Sequence, residues 1–451
     1  MALELTGKAA EIYDGIRHAP IVSPHGHCDP AWFAENQPFA DPAELLVIPD
    51  HYVFRMLYSQ GVPLEKLGVG VSAEDRNPRQ VFRLFAAHWH LFLGTPSQLW
   101  IEYVLRETLS CALPLGVDTA DAIYDHIEAW LADPANRPRA LFDRFGIEVL
   151  ATTDAALDPL SHHKEIANSE WDGRMVPTFR PDALLNPRAH GWASGIASLG
   201  AITNQDTSSY YGFVAALRQR RAMFKSLGAT ATDHAIEVPQ TVWLDNPADT
   251  YGALISGDMS KADAFHGHML IEMAQMSLDD GLVMQLHAGS RRNTNHALFD
   301  SFGPDKGTDI PVAVDWVRGL EPLLNRVGND PRLTLILFTL DETSYARELA
   351  PMAGHWPCLR IGPPWWFHDS AAGIARYLDQ VVETAGYYNL AGFNDDTRAF
   401  LSIPARHDLW RRAVSRHLAA QIERGYFDIK TADHMARLLA TDLARSTYKL
   451  D

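Results

Sequence analysis

Ile21-Val22-Ser23-Pro24-His25-Gly26-His27-Cys28-Asp29-Pro30 is a short apolar run that ends in two histidines two residues apart. In an extended segment, residues i and i+2 point the same way. The pattern therefore predicts a strand whose carboxyl end presents two imidazoles to one divalent metal. Twenty histidines in 451 residues make such pairs common by chance. The meaning of this one depends on where comparable runs fall in the rest of the chain.

Seven more runs of the same kind follow, each short, apolar and trailed by a polar cluster and then a helical stretch. Together with Pro20 to Ser23 they are Ile147 to Ala151, Met175 to Phe179, Ala229 to Thr232, Leu282 to Leu286, Leu333 to Phe338, Leu359 to Ile361 and Asn389 to Phe393. Strands alternating with helices imply a parallel sheet, and eight of them predict a closed (β/α)8 barrel. Residues 1–451 are read as a single such domain, distorted by a helical insertion over residues 30–140 after strand one and followed by C-terminal helices. The insertion is expected to sit above the barrel mouth. Its aromatic residues from Val81 to Trp100 read more readily as core than as a ligand surface. Leu409 to Leu450 read as helices, with Trp410 and Tyr426 as packing anchors, covering the barrel or a neighbouring subunit.

Composition narrows the function. A net charge of -17 and no basic run argue against nucleic acid as a partner, and an anionic substrate would need cations of its own in the site. Cys28, Cys111 and Cys358 are odd in number and far apart, which fits a reducing cytoplasm rather than a disulfide framework. No apolar stretch reaches membrane length, and Met1 to Pro20 does not read as a signal peptide. Oligomeric state stays open, a homo-oligomer included.

Barrel active sites lie at the carboxyl ends of the strands. There the sequence places His25 and His27 on strand one, His287 on strand five and Asp396 on strand eight, a zinc-type donor set. The pattern resembles the amidohydrolase superfamily. Binuclear members carry a modified lysine at strand four, whereas this chain has Thr232-Asp233-His234, so one divalent metal, with zinc the expected ion, is implied.

An ordered series of motifs narrows the resemblance. It comprises His25-Gly26-His27, Pro49-Asp50-His51-Tyr52, Ala151-Thr152-Thr153-Asp154 with Ser161-His162-His163, and Pro177 to Asp182. Further on come His287 to Asn295, Gly303-Pro304-Asp305-Lys306-Gly307, Trp365 to Asp369, Asp396 to Ser402 and Arg406-His407. The series is similar to that of the uronate (glucuronate) isomerases. The resemblance implies aldose to ketose isomerisation of a small-molecule hexuronate, D-glucuronate to D-fructuronate or D-galacturonate to D-tagaturonate. A proton leaves carbon 2, an enediolate forms and a proton returns at carbon 1.

The resemblance also implies roles. Tyr52 takes the carbon 2 proton, which requires its phenol to be depressed by a cation or the metal. His51, expected to titrate near neutral pH, is the alternative base. Asp396 is either a metal ligand or an acid/base that opens the ring, with Arg398 orienting it. Arg180, Arg292 and Arg398 grip the carboxylate. His25, Asp233, Trp365 and Trp366 line the substrate pocket, the tryptophan pair reading equally well as core. The sequence departs from the family pattern at Ser23, at Ala155-Ala156 and at Asp395 before Asp396. The rival reading is a metal-dependent hydrolase of a sugar-acid lactone or a related ester or amide, since the same donors activate water. A silent sugar-acid binding protein is a third.

Overall fold

In the computed structural model, which describes residues 3–451, the predicted runs form a parallel barrel. We number its strands β1 (Ile21–Ser23), β2 (Ile147–Ala151, continued by Asp154–Ala155), β3 (Met175–Val176, continued by Phe179–Arg180), β4 (Ala231–Ile236), β5 (Val283–Ala288), β6 (Leu335–Thr339) and β7 (Leu359–Ile361). Each pairs in parallel with its neighbour in chain order, with Ile21 opposite Ile147, Phe179 opposite Thr232 and His287 opposite Phe338. The eighth stave is barely a strand. Leu390 bridges Ile361, the Ala391 N–H reaches the Ile361 carbonyl at 2.8 Å, and regular pairing goes no further.

The closure between the eighth stave and β1 is made at the mouth. The His27 N–H donates to the Thr397 carbonyl at 3.0 Å, and the Cys28 thiol faces the same oxygen at 3.7 Å. The loops that carry the expected metal ligands therefore also close the barrel.

Val22, Val149, Val176, Val283, Ile336 and Phe338 fill the interior, as β-branched and aromatic residues of a buried parallel sheet do. Tyr448 and Leu450 belong to the same buried cluster. The Tyr448 hydroxyl donates to Gln285 Oε1 at 3.1 Å, and Arg174 Nη1 binds the Leu450 carbonyl at 2.6 Å. Trp410 is buried as expected, but Tyr426 is 75% exposed and anchors nothing.

Between β1 and β2 the chain is helical, from Pro30–Glu35 to Pro138–Arg144. Phe82, Phe85, Trp89 and Phe92 pack in a core of their own, as their helical spacing suggests. Trp100 instead lines the cavity at the barrel mouth. Among the described residues, no helix is long and apolar enough to cross a membrane.

Candidate active site

A cavity of about 380 Å³ opens at the carboxyl ends of the strands. Its walls include His27, Asp50, His51, Tyr52 and Trp100 from the segment after β1, together with Arg180, Arg292, Trp365, Trp366, Asp396, Arg398 and Arg406.

Below it, His25, His287 and Asp396 each offer one donor atom within 4.8 Å of the others. Asp233 Oδ1 lies 2.6 Å from His287 Nδ1, while His287 Nε2 is buried with no partner. A carboxylate fixing one imidazole nitrogen so that the other stays free is the usual support of a metal-binding histidine. His25 Nδ1 is also buried without a hydrogen bond, and Asp396 Oδ1 has only imidazole nitrogens beside it, His27 Nε2 at 3.0 Å and His25 Nε2 at 3.5 Å. Orphaned buried polar atoms are costly, so this trio fits a cation.

His27 does not belong to that mutual group. Its Nε2 lies 3.0 Å from Asp396 Oδ1, and its ring meets that of His25 edge-on at 5.3 Å. Three of the four expected ligands thus converge, with His27 beside the carboxylate.

Asp233, expected at the substrate, stands under the site with its side chain 2% exposed, bound to His287 and 3.6 Å from Arg180 Nε. Burial would raise its carboxyl, but His287 and Arg180 hold it well below the usual range. Burial is likewise overcome at Asp396, where His25 and His27 keep the carboxyl ionised.

The helix His51–Tyr58 starts at the cavity because Asp50 caps it, accepting the Tyr52 N–H at 2.8 Å. The His51 and Tyr52 rings stack at 4.6 Å. One expectation for this pair fails, that for His51. Burial, with Arg398 adding to it, pushes the His51 imidazole down to about 3, so it does not titrate near neutral pH. Burial also pushes the Tyr52 phenol well above its ordinary range, and the opposing Arg406 is countered by Asp369, Asp396 and Asp50. The protein groups alone do not supply the depression that a phenolate needs.

Arg180, Arg292 and Arg398 all face the cavity, as expected. Trp365 packs against His287 at 4.7 Å, and Trp366 stands under the Arg292 guanidinium at 5.2 Å, so the pair forms a wall of the site. Trp366 and Asp396 both have left-handed backbones, φ 53° and 40°. Such a conformation costs a side-chain-bearing residue roughly 1–2 kcal/mol and is retained where a site requires it.

Sequence reasoning gave no role to Trp100, Arg406 or Asp305. Arg406 lies on the Trp100 face at 3.5 Å and on Asp369 Oδ2 at 2.5 Å. Arg406 and Asp305 lay within quoted motifs, but nothing set Trp100 apart from its buried neighbours.

The profile of the glucuronate isomerase family matches residues 3–445. A uronate isomerase of Rhizorhabdus wittichii is 53% identical over 446 residues, covering 98% of this chain and 95% of the relative. This chain belongs to the glucuronate isomerase family. The crystal structure of a glucuronate isomerase from Caulobacter crescentus superposes with a TM-score of 0.96 at 48% identity, covering 98% of this chain and 94% of that one. A uronate isomerase from Thermotoga maritima gives 0.92 at 28% identity, covering 99% and 100%. Membership in the glucuronate isomerase family thus extends over the whole barrel, from before β1 into the C-terminal helices.

Proposed function

We infer that this protein is an aldose–ketose isomerase, interconverting a hexuronate such as D-glucuronate or D-galacturonate with its keto form. The observation that carries the reading is one cavity, walled by a tyrosine and a set of guanidiniums, that shares Asp396 with a metal-donor trio beneath it, in a chain whose net charge is -17. A site that only activates water has no use for the tyrosine or for so many cations.

His25, His287 and Asp396 would hold one divalent ion, and zinc suits their imidazole and carboxylate donors. When bound, the cation supplies positive charge to the enediolate oxygens and to the neighbouring phenol, whose ionisation the protein groups alone disfavour.

Asp396, held ionised, takes the proton of the anomeric hydroxyl and delivers it to the ring oxygen as the bond from carbon 1 to that oxygen breaks and the aldehyde forms. Tyr52 takes the carbon 2 proton and returns it at carbon 1, while the carbon 2 hydroxyl proton passes to the carbon 1 oxygen, so that the aldehyde becomes a hydroxymethyl group and carbon 2 the ketone; Arg406 is the cation that favours the phenolate. His51, a neutral imidazole stacked on it, keeps the phenol in place. Arg292 and Arg398 offer planar forks to the distal carboxylate, and Arg180 is held between Asp182 and Asp233 beside the donor trio. Trp365 and Trp366 keep water from the enediolate.

Tyr52→Phe tests this reading. Loss of a general base lowers kcat by at least about 100-fold. Deuterium at carbon 2 of the substrate should slow the wild type. If Tyr52→Phe retained near-full turnover, the tyrosine assignment would be abandoned.

A further inference from the structure

Four guanidiniums face the cavity, Arg180, Arg292, Arg398 and Arg406, and each already holds a carboxylate. Three of those acids are fixtures. Asp182 Oδ2 accepts Arg180 Nε at 2.8 Å and also the Ala235 N–H at 3.1 Å. Asp309 accepts Arg292 Nη1 at 2.8 Å and the Asn293 N–H at 2.7 Å, with its side chain 3% exposed. Asp369 holds Arg406 with its side chain 5% exposed.

Asp305 differs from all three. Its side chain is 43% exposed, and among the described residues its hydrogen bond is the single one from Arg398 Nη2 at 2.9 Å. No backbone N–H anchors it. It sits at φ 61° between Gly303 and Gly307, themselves at 76° and 71°, so the loop carrying it is built from conformations that glycine tolerates. Arg398, Arg292 and His51 surround its carboxylate and, against the opposing effect of burial, hold it below the usual range. A carboxylate facing Arg398 and Arg292 at the cavity wall occupies the environment that a uronate carboxylate requires.

We propose that Asp305 is an internal competitor for the substrate carboxylate: it occupies Arg398 in the free protein and yields that guanidinium when a uronate binds. The proposal rests on the functional reading above only in taking a sugar acid as the ligand. Breaking the pair costs little because it is half exposed, and an incoming carboxylate replaces what is lost. A neutral aldose would break the pair without replacing it. Asp305 therefore also screens the pocket for anions, a repulsive element of specificity.

The test is Asp305→Asn, with Asp305→Ala beside it in case the amide oxygen still accepts from Arg398. Binding is read by calorimetry with D-glucarate, which carries carboxylates but no aldehyde and cannot turn over, and KM is read with D-glucuronate. The glucarate Kd should fall roughly two- to five-fold, the worth of one exposed ion pair, and KM should fall in proportion. Asp309→Asn, which removes an anchored acid, should weaken glucarate instead. Unchanged or weaker glucarate binding by both Asp305 variants would overturn the proposal and make Asp305 a support for Arg398. If the wild type isomerised no uronate, the functional reading would fail while the glucarate comparison still decided the role of Asp305.

Discussion

Asp233 shows how far one side chain's surroundings govern its chemistry. Its carboxylate is bound to His287 Nδ1 and flanked by Arg180, so its work is to keep His287 Nε2 free and aimed. Asp233→Asn should lower metal affinity by roughly 10- to 100-fold, measured by competition with a chromogenic chelator. Asp154 has the opposite electrostatics. Burial pushes its carboxyl up to about 7, although Thr152 Oγ1 donates to it at 2.7 Å. A carboxyl raised in the folded state contributes stability that is full below its unfolded pKa of about 4 and is lost as pH rises through about 7. Asp154→Asn, which cannot ionise, should therefore gain thermal stability relative to the wild type as pH rises from about 4 to about 7, in paired melts. A constant difference across that window would show that the carboxyl is not raised. The sequence placed His25, His287 and Asp396 together because strand ends in a barrel converge. It could not reveal that Asp233 lies below the pocket, nor that burial shifts His51 and Tyr52 away from their ordinary ranges, since both depend on packing across distant segments.

At the scale of elements, the apolar runs located β1 to β7 because a buried parallel strand needs little beyond apolar, β-branched residues. The reading stopped β4 at Thr232, whereas the strand runs on to Ile236. Asp233 and His234 look like loop residues, yet Asp233 is satisfied by His287 and Arg180, and His234 Nε2 lies 3.1 Å from Thr232 Oγ1. Only neighbours absent from the local sequence make them strand. β3 is interrupted at Pro177-Thr178, where proline has no N–H to give to the ladder. The eighth stave was read as Asn389 to Phe393 but pairs only at Leu390. Gly392 accounts for the break, with φ 84° and a backbone so close to the C-terminal helix that a Cβ there would lie 2.4 Å from the Ala444 nitrogen. Gly392→Ala should cost at least about 2 kcal/mol through combined strain and overlap, read as a lowered unfolding midpoint. A neutral effect would mean that the helix Leu443–Thr447 is not pressed against this stave.

Across the whole molecule, the features that close the barrel and those that build the site are largely the same. The mouth is sealed between His27 and Thr397, next to Asp396, while Tyr448 and Leu450 pack with the interior residues of the sheet. A chain of strong negative charge has gathered arginines around one cavity, each neutralised by an acid, so that an anionic sugar meets a positive surface without unpaired charge being left in the free protein. Only the first half of that arrangement was legible beforehand. Motif order pointed to the arginines, but their acid partners lie up to 93 residues away in sequence. The central claim is that this cavity moves a proton between carbons 2 and 1 of a hexuronate. Proton NMR of the protein with D-glucuronate, and separately D-galacturonate, in heavy water tests it most directly. The account predicts keto-uronate from at least one of them, with the carbon 2 hydrogen signal of the aldose lost as the product forms, and neither change with Tyr52→Phe on the same timescale. Unchanged spectra for both sugars, with hydrolysis of a uronolactone by the same sample, would contradict it and assign the site to water activation.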